Sequence, residues 1–377
     1  MPQLVESCGM FFLCPYPSFS DFLEKNMPFY FVLSPICAIF AVSINIRSFL
    51  RYQKYTQMRV LIVNTSEKTG GAAVAANRLM DALNNNGVKA KMLVRDKETE
   101  DITVVSLPRS LRLQWNFLWE RWCVFWHLHF SRQRLWEVDM ATSGTDITRL
   151  REFQEADVIH LSWINQGMLS LKNIRKIIRS GKPVVWTMHD LWPATGICHY
   201  ARGCNRYASA CGNCPLLPNK GSKNDLSAKI FRRKKELYHR GAISFVTCSR
   251  WLERQAKGSG LFVGQRITNI PNPIDTHVFC PQDQAEARLR AGLPADKHII
   301  LFVSQRVTDE RKGMRYFIEA IDRLVARYPE MKENTAIAIL GGHSEEVNLT
   351  LPSYSLGYVS DEKQIVAIYN SADAFVL

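Results

Sequence analysis

The chain has 377 residues, 46% of them apolar and 22% charged, with a formal net charge of +13. That length and apolar content supply two cores and exclude a disordered or coiled-coil chain. Residues 1–57 carry four basic and three acidic groups, so +12 lies beyond them, a balance that suits nucleic acid, an anionic membrane face or phosphorylated substrates without choosing among them.

Residues 28–46 are largely apolar and about as long as a membrane span, but Ser34, Pro35, Ser43 and Asn45 interrupt them. The run lies far from the N-terminus and lacks a clear small-residue cleavage site, which argues against a signal peptide. Met58 then opens the strand-like run Met-Arg-Val-Leu-Ile-Val-Asn. Residues 1–57 are therefore expected to be an upstream extension, with an apolar membrane anchor as the alternative.

From Met58 strand-like and helix-like runs alternate, the pattern of a parallel sheet covered by helices on both faces. Strands are expected over 59–63, 88–94, 158–161, 184–188 and 244–247, and helices over 72–85, 169–179, 226–239 and 251–257. Gly87 and Gly181 fall just past two of these helices, where C-terminal caps belong. Two prolines in Ile270-Pro271-Asn272-Pro273-Ile274-Asp275 make a stiff crossing into a second alternation, with strands over 299–303, 336–340, 356–359 and 374–377 and helices over 314–327 and 362–369. The expected division is an extension over 1–57, one α/β domain over 58–270 and another over 271–377. Residues 374–377 read as a buried parallel strand without its crossover helix, so the second domain is expected to be incomplete.

The segment 64–73, Asn-Thr-Ser-Glu-Lys-Thr-Gly-Gly-Ala-Ala, joins the first strand to the first helix. Gly70 and Gly71 let a ligand approach the backbone and the helix N-terminus favours an anion, although the G-x-G-x-x-G spacing is absent; a plain tight turn is the alternative. Val184-Val185-Trp186-Thr187-Met188-His189-Asp190 puts an imidazole at the carboxyl end of a buried strand, where open α/β sheets bind ligands. Asp190 is placed to orient that ring, and a purely structural histidine is the alternative. In Arg306-Val307-Thr308-Asp309-Glu310-Arg311-Lys312-Gly313 the cations Arg306 and Lys312 lie between a strand and a helix start at Gly313. They suit a diphosphate, against a solvated basic turn.

Cys198, Cys204, Cys211 and Cys214 crowd four thiols into 17 residues, spaced C-x5-C-x6-C-x2-C, beside His199. In a reducing compartment this favours a structural zinc tetrad, with reduced thiols or a labile disulfide as alternatives. Trp115, Trp119, Trp122 and Trp126 recur at i, i+4, i+7 and i+11, with Arg109, Arg112, Arg121, Arg132 and Arg134 around them. That periodicity predicts a core-facing stripe; an interfacial helix with Trp at the headgroup level is the alternative. Arg232-Arg233-Lys234-Lys235 reads as a solvated helix face.

Taken in order, these motifs resemble those of the retaining family 4 glycosyltransferases of the GT-B fold: Gly70-Gly71, Thr187-x-His189-Asp190, Ser249 after a strand, Asn272-x-x-Asp275 at the crossing, then Arg306 and Lys312. The resemblance covers Met58 to Leu377, and the Cys-rich loop is similar to that of bacterial surface-polysaccharide enzymes. It implies two Rossmann-like domains facing a cleft, the first holding the acceptor and the second a nucleotide diphosphate sugar. The implied reaction moves a hexose to a hydroxyl of a polysaccharide or lipopolysaccharide acceptor, in the cytoplasm or at the inner face of its membrane. The resemblance makes His189, Arg306 and Lys312 catalytic and assigns substrate binding to Gly70, Gly71, Asp190, Ser249, Asn272, Asp275 and Gly313. It implies neither a catalytic metal nor a nucleic-acid partner. The family's acidic pair, spaced E-x7-E, would fall beyond Leu377, so the chain as given is expected to be inactive. The rival expectation is a non-enzymatic, zinc-containing, basic α/β nucleic-acid-binding protein.

Overall fold

The computed structural model of the chain describes residues 58–108 and 110–376; the extension expected over 1–57, Arg109 and Leu377 lie outside the described residues. The first sheet contains β1 (Arg59–Val63), β2 (Lys89–Val94), β3 (Val104–Ser106), β4 (Val158–Leu161), β5 (Val184–Met188), β6 (Ile243–Thr247) and β7 (Arg266–Asn269). They pair in parallel in the order β3-β2-β1-β4-β5-β6-β7. The second sheet contains β8 (His298–Arg306), β9 (Thr335–Gly342), β10 (Ser353–Gly357) and β11 (Ala374–Val376), parallel in the order β10-β9-β8-β11. The chain is thus an α/β protein of two Rossmann-like sheets. Each sheet reverses its direction of growth beside its first strand, and that reversal opens a crevice at the carboxyl ends of the strands.

Both faces of each sheet are covered. Along β1, Leu61 and Val63 enter one core with Ile159, Leu161 and Trp186, while Val60 and Ile62 enter another with Leu79, Met80 and Leu83 of the helix Gly71–Asn85. In the second sheet Phe302, Ile337 and Ile339 face the helix Met314–Arg327, and Ile299, Leu301, Ala336 and Ala338 face Ile368 of the helix Glu362–Ser371. Continuous apolar runs are what such doubly covered strands require.

Sequence pattern misses what that logic does not cover. The edge strands β3 and β7 are short, and β7 reads Arg-Ile-Thr-Asn with a single apolar side chain. The helix Gln284–Ala291 turns inward Ala287 and Arg288, whose guanidinium reaches the Ser371 and Ala295 carbonyls and Asp373. β8 runs on to Arg306, which ends a strand instead of sitting in a loop.

The tryptophan stripe corrects the core-facing expectation. Helix Leu111–His127 buries Leu113, Asn116, Glu120, Arg121 and Val124, and leaves Trp115, Trp119, Trp122 and Trp126 exposed. The polar face is inward because it finds partners there. Glu120 accepts from the backbone N–H groups of Met140 at 2.7 Å, Ala141 at 2.7 Å and Thr142 at 2.8 Å. Arg121 pairs with Asp139. The basic run on helix Leu226–His239 is also not uniformly solvated: Lys234 is buried, its ammonium donating to the Trp192 carbonyl at 2.6 Å and the Thr195 carbonyl at 3.1 Å. No helix among the described residues is long and apolar enough to cross a membrane.

Candidate functional site

A cleft of about 620 Å³ opens where the carboxyl ends of the two sheets meet. Residues that directly follow strands line it: Asn64, Thr65 and Ser66 after β1, Trp163 after β4, His189 and Asp190 after β5, Cys248 after β6, Asn272 after β7, and Gln305 and Arg306 at the end of β8. Its size is that of a small-molecule site. The first wall is rigid, because Thr65 Oγ1 donates to the Trp163 and Asn165 carbonyls at 3.0 Å each and Asn64 accepts from the Trp163 N–H at 2.9 Å.

Gly70 to Ala73 face the cleft from the start of helix Gly71–Asn85. Gly70 has φ 92°, a left-handed backbone that a side chain resists, and no side chain caps this helix or places an acid in its first turn. Its N-terminal dipole therefore points uncompensated at the cleft. From the other side come Arg306, Arg311 and Lys312. Their situations differ. Arg311 is bonded to Asp309 and lies 4.2 Å over the Tyr200 ring, tying the second sheet's loop to the first domain. Arg306 and Lys312 are exposed, and among the described residues neither has a carboxylate within 4.0 Å. These are the cations left free for an anion.

His189 sits between these walls, its Nε2 3.1 Å from the Ser162 hydroxyl. Burial pushes His189 down to about 4, against the opposing pull of Asp190. Beneath it His160, bonded through Nε2 to Thr187 Oγ1 at 2.7 Å, is pushed by burial to about 3. Both rings are neutral near pH 7. His189 is therefore a neutral donor or acceptor in the cleft, without a positive charge.

Asp190 does not orient His189, contrary to expectation. Its Oδ2 accepts from Trp163 Nε1 at 3.0 Å and from His199 Nδ1 at 2.7 Å, and its Oδ1 from the Trp192 N–H at 2.8 Å. His199 Nε2 bonds Asp139 Oδ2 at 2.9 Å. With carboxylates on both nitrogens, only the doubly protonated ring can donate twice. Burial alone would lower its pKa, but Asp190 and Asp139 outweigh it and hold His199 at about 9. For Asp190 burial is likewise outweighed, chiefly by the His199 charge, so its carboxyl is held below the usual range. Arg121, Asp139, His199 and Asp190 form a buried chain of alternating charge that fixes the cleft floor.

Other expected residues lie off the lining. Ser249 Oγ caps helix Arg250–Lys257, accepting from Leu252 N–H at 3.2 Å. Asp275 caps its own turn through His277 N–H at 2.8 Å. Gly313, at φ 79°, ends the turn that carries Lys312 and starts helix Met314–Arg327. The residues not foreseen include Asp96, Trp136, Trp163, Gln166, His199, Tyr200, Cys248, Gln305 and Arg311. The strand-end rule alone points to Asp96, Trp163, Cys248 and Gln305; the rest lie on loops with no periodic signal.

Cys198, Cys204, Cys211 and Cys214 are free thiols lining one cavity of about 20 Å³, next to Thr195 and Tyr207. Gly196 N–H points at Cys211 Sγ, 3.3 Å away, and burial pushes Cys198 to about 11 and Cys211 to about 12. Among the described residues no three of these sulfurs lie within 4.8 Å of one another; the group that meets this limit is the exposed His343, Glu345 and Glu346. His199 is not a fifth ligand, since both its nitrogens are taken.

Residues 69–278 match the family model described as Glycosyltransferase Family 4. The chain is 32% identical over 85 residues to a proposed colanic acid biosynthesis glycosyl transferase, WcaC, of Escherichia coli (strain K12), covering 22% of this chain and 20% of that one. It is 30% identical over 125 residues to a phosphatidyl-myo-inositol mannosyltransferase of Mycolicibacterium smegmatis, covering 32% and 28%. The matched segments thus span 20% and 28% of these relatives' own length. Among solved structures, the α,α-trehalose 6-phosphate synthase of Burkholderia multivorans shares the fold, with a TM-score of 0.50 at 11% identity over 85% of this chain and 77% of that one.

Proposed function

Because this chain belongs to glycosyltransferase family 4, we propose that it transfers a hexose, with retention of anomeric configuration, from a nucleotide diphosphate sugar to a hydroxyl of a surface glycan. The observation that carries this reading is the pairing of the uncapped helix start at Gly70–Ala73 with the free cations Arg306 and Lys312 across one cleft. Charge develops on the leaving diphosphate as the bond from the anomeric carbon to its phosphate oxygen breaks and the bond to the acceptor oxygen forms, and fixed cations and N–H dipoles aimed at that charge lower the barrier. Neutral His189 serves as a hydrogen-bond partner beside the transferred sugar, while the departing diphosphate takes the acceptor proton. No step here needs a divalent metal.

The acceptor reading draws on the relatives, one named for colanic acid biosynthesis and one named a phosphatidyl-myo-inositol mannosyltransferase. A lipid-linked glycan at the inner face of the cytoplasmic membrane fits both. A structural zinc at Cys198, Cys204, Cys211 and Cys214 belongs to the same proposal; it requires the thiols to draw in around their shared cavity to the roughly 2.3 Å Zn–S distance. The family match does not favour the nucleic-acid alternative.

The test is thermal unfolding with UDP, GDP and an oligonucleotide, because a ligand that binds only the folded state raises the melting temperature. A rise with one nucleoside diphosphate and none with the oligonucleotide is expected. The reverse pattern would sink the reading.

A further inference from the structure

We propose that the aromatic face of helix Leu111–His127 and the turn that follows it docks on an anionic lipid bilayer. This deepens the lipid-linked acceptor reading and rests on it, but its test does not depend on the donor site.

Trp115, Trp119, Trp122 and Trp126 are 62%, 44%, 50% and 58% exposed, with Leu118 and Phe130 beside them at 56% and 53%. A monomer in water rarely leaves so continuous an apolar patch uncovered. The rings order one another: Trp115 stacks on Trp119 with centroids 6.2 Å apart, and Phe130 meets Trp126 at 5.3 Å and Phe125 at 5.4 Å. Between the helix and the following turn they leave a groove of about 490 Å³, bordered by Trp115, Trp119, Trp122, Phe125, Arg132 and Leu135.

Two observations select a bilayer as the occupant. The first is charge. Arg112 and Arg132 are exposed on this segment, and the one acid within residues 110–136, Glu120, is fully buried on the opposite side. The face is therefore apolar with a cationic rim, complementary to anionic headgroups. The second is the type of residue. Trp combines a large apolar ring with one N–H donor, and among the described residues the indole N–H groups of these four tryptophans donate to no protein acceptor. At a headgroup boundary the ring is buried and the N–H reaches a phosphate or water.

Trp136 lines the cleft and stacks at 6.3 Å on Phe117, on the other side of this helix from the tryptophans, so the helix that carries the aromatic face is anchored beside the cleft.

The test is co-sedimentation of the full chain with vesicles of phosphatidylcholine alone and of phosphatidylcholine with phosphatidylglycerol in equal parts. Binding is expected to the anionic vesicles and to weaken with salt. The combined variant Trp115→Ser, Trp119→Ser, Trp122→Ser, Trp126→Ser should lose roughly ten-fold or more of that binding, from the apolar area no longer inserted. Arg132→Glu, on an exposed turn, should lose roughly five-fold and serves if the combined variant fails to fold. UDP or GDP binding should stay unchanged in both, which separates a failure here from a failure of the donor-site reading. No vesicle binding by the unaltered chain, equal binding by the variants, or a dimer that the same substitutions dissolve while vesicles are ignored would each overturn the proposal.

Discussion

Truncating Arg306 or Lys312 to alanine is expected to weaken nucleoside diphosphate binding while leaving the fold intact. Both side chains are exposed on the cleft wall, and among the described residues neither has a carboxylate within 4.0 Å, so removing one strands no buried charge. Arg306 makes one modest side-chain bond, Nε to Thr308 Oγ1 at 3.2 Å. A hydrogen bond to a charged group is worth about 1.5–3 kcal/mol, so the Kd for UDP or GDP should rise roughly 10- to 150-fold for each residue. Arg311 is the internal control. Its guanidinium is already bonded to Asp309 and stacked on Tyr200, so Arg311→Ala should loosen the contact between the sheets more than it weakens nucleotide binding. Calorimetric titration of the three variants, with urea unfolding beside it, makes the comparison. Unchanged affinity for both nucleotides in Arg306→Ala and Lys312→Ala, or a larger loss in Arg311→Ala than in either, would refute the assignment.

The buried charge chain predicts that His199→Ala leaves Asp190 without its cation and costs about 3–5 kcal/mol, read as a lowered urea midpoint; an unmoved midpoint would show that the chain bears no weight. Burial holds His189 near 4 and His160 near 3, below their ordinary value of 6.5, so between those limits the unfolded chain binds protons that the folded one refuses. Stability should therefore fall as pH drops from about 6.5 towards 4, by on the order of 1.4 kcal/mol per pH unit for each histidine, and His160→Gln should flatten the slope. A variant with the same slope as the unaltered chain contradicts that account. Metal analysis of protein purified without chelator should give about one zinc per chain, lost in Cys211→Ser together with local protease resistance. Metal-free protein with all its thiols titrating would leave the loop merely rich in cysteine.

How much of this was legible follows from where each residue sits. β1, β4, β5 and β8 are largely apolar runs because both of their faces are covered, and covered strands read as near-continuous apolar runs. The residue after such a strand falls at the crevice by topology, so Gly70, His189, Asn272, Arg306 and Lys312 could be found near strand ends and do meet at one cleft. Asn272 reaches the lining while Ser249 and Asp275 turn to local capping, because a hydroxyl or carboxylate beside free N–H groups satisfies them first. The linkage Arg121–Asp139–His199–Asp190 was invisible for a different reason: its members come from separate segments, and nothing in the sequence pairs one with another.

The tryptophan helix shows what periodicity withholds. The spacing of Trp115, Trp119, Trp122 and Trp126 correctly puts them on one face, but a period says nothing about which face turns inward. Here the decision was made by Glu120 and Arg121, whose partners lie on the 135–143 segment and nowhere in the helix itself. Turning the tryptophans inward would have stranded a carboxylate whose oxygens accept from Met140, Ala141 and Thr142, and an unpaired buried charge costs more than an exposed ring. The polar anchors therefore win the interior, and the aromatic rings are left facing out with a cationic rim. The same competition that misleads a reading by hydrophobic pattern is what presents this face to a partner.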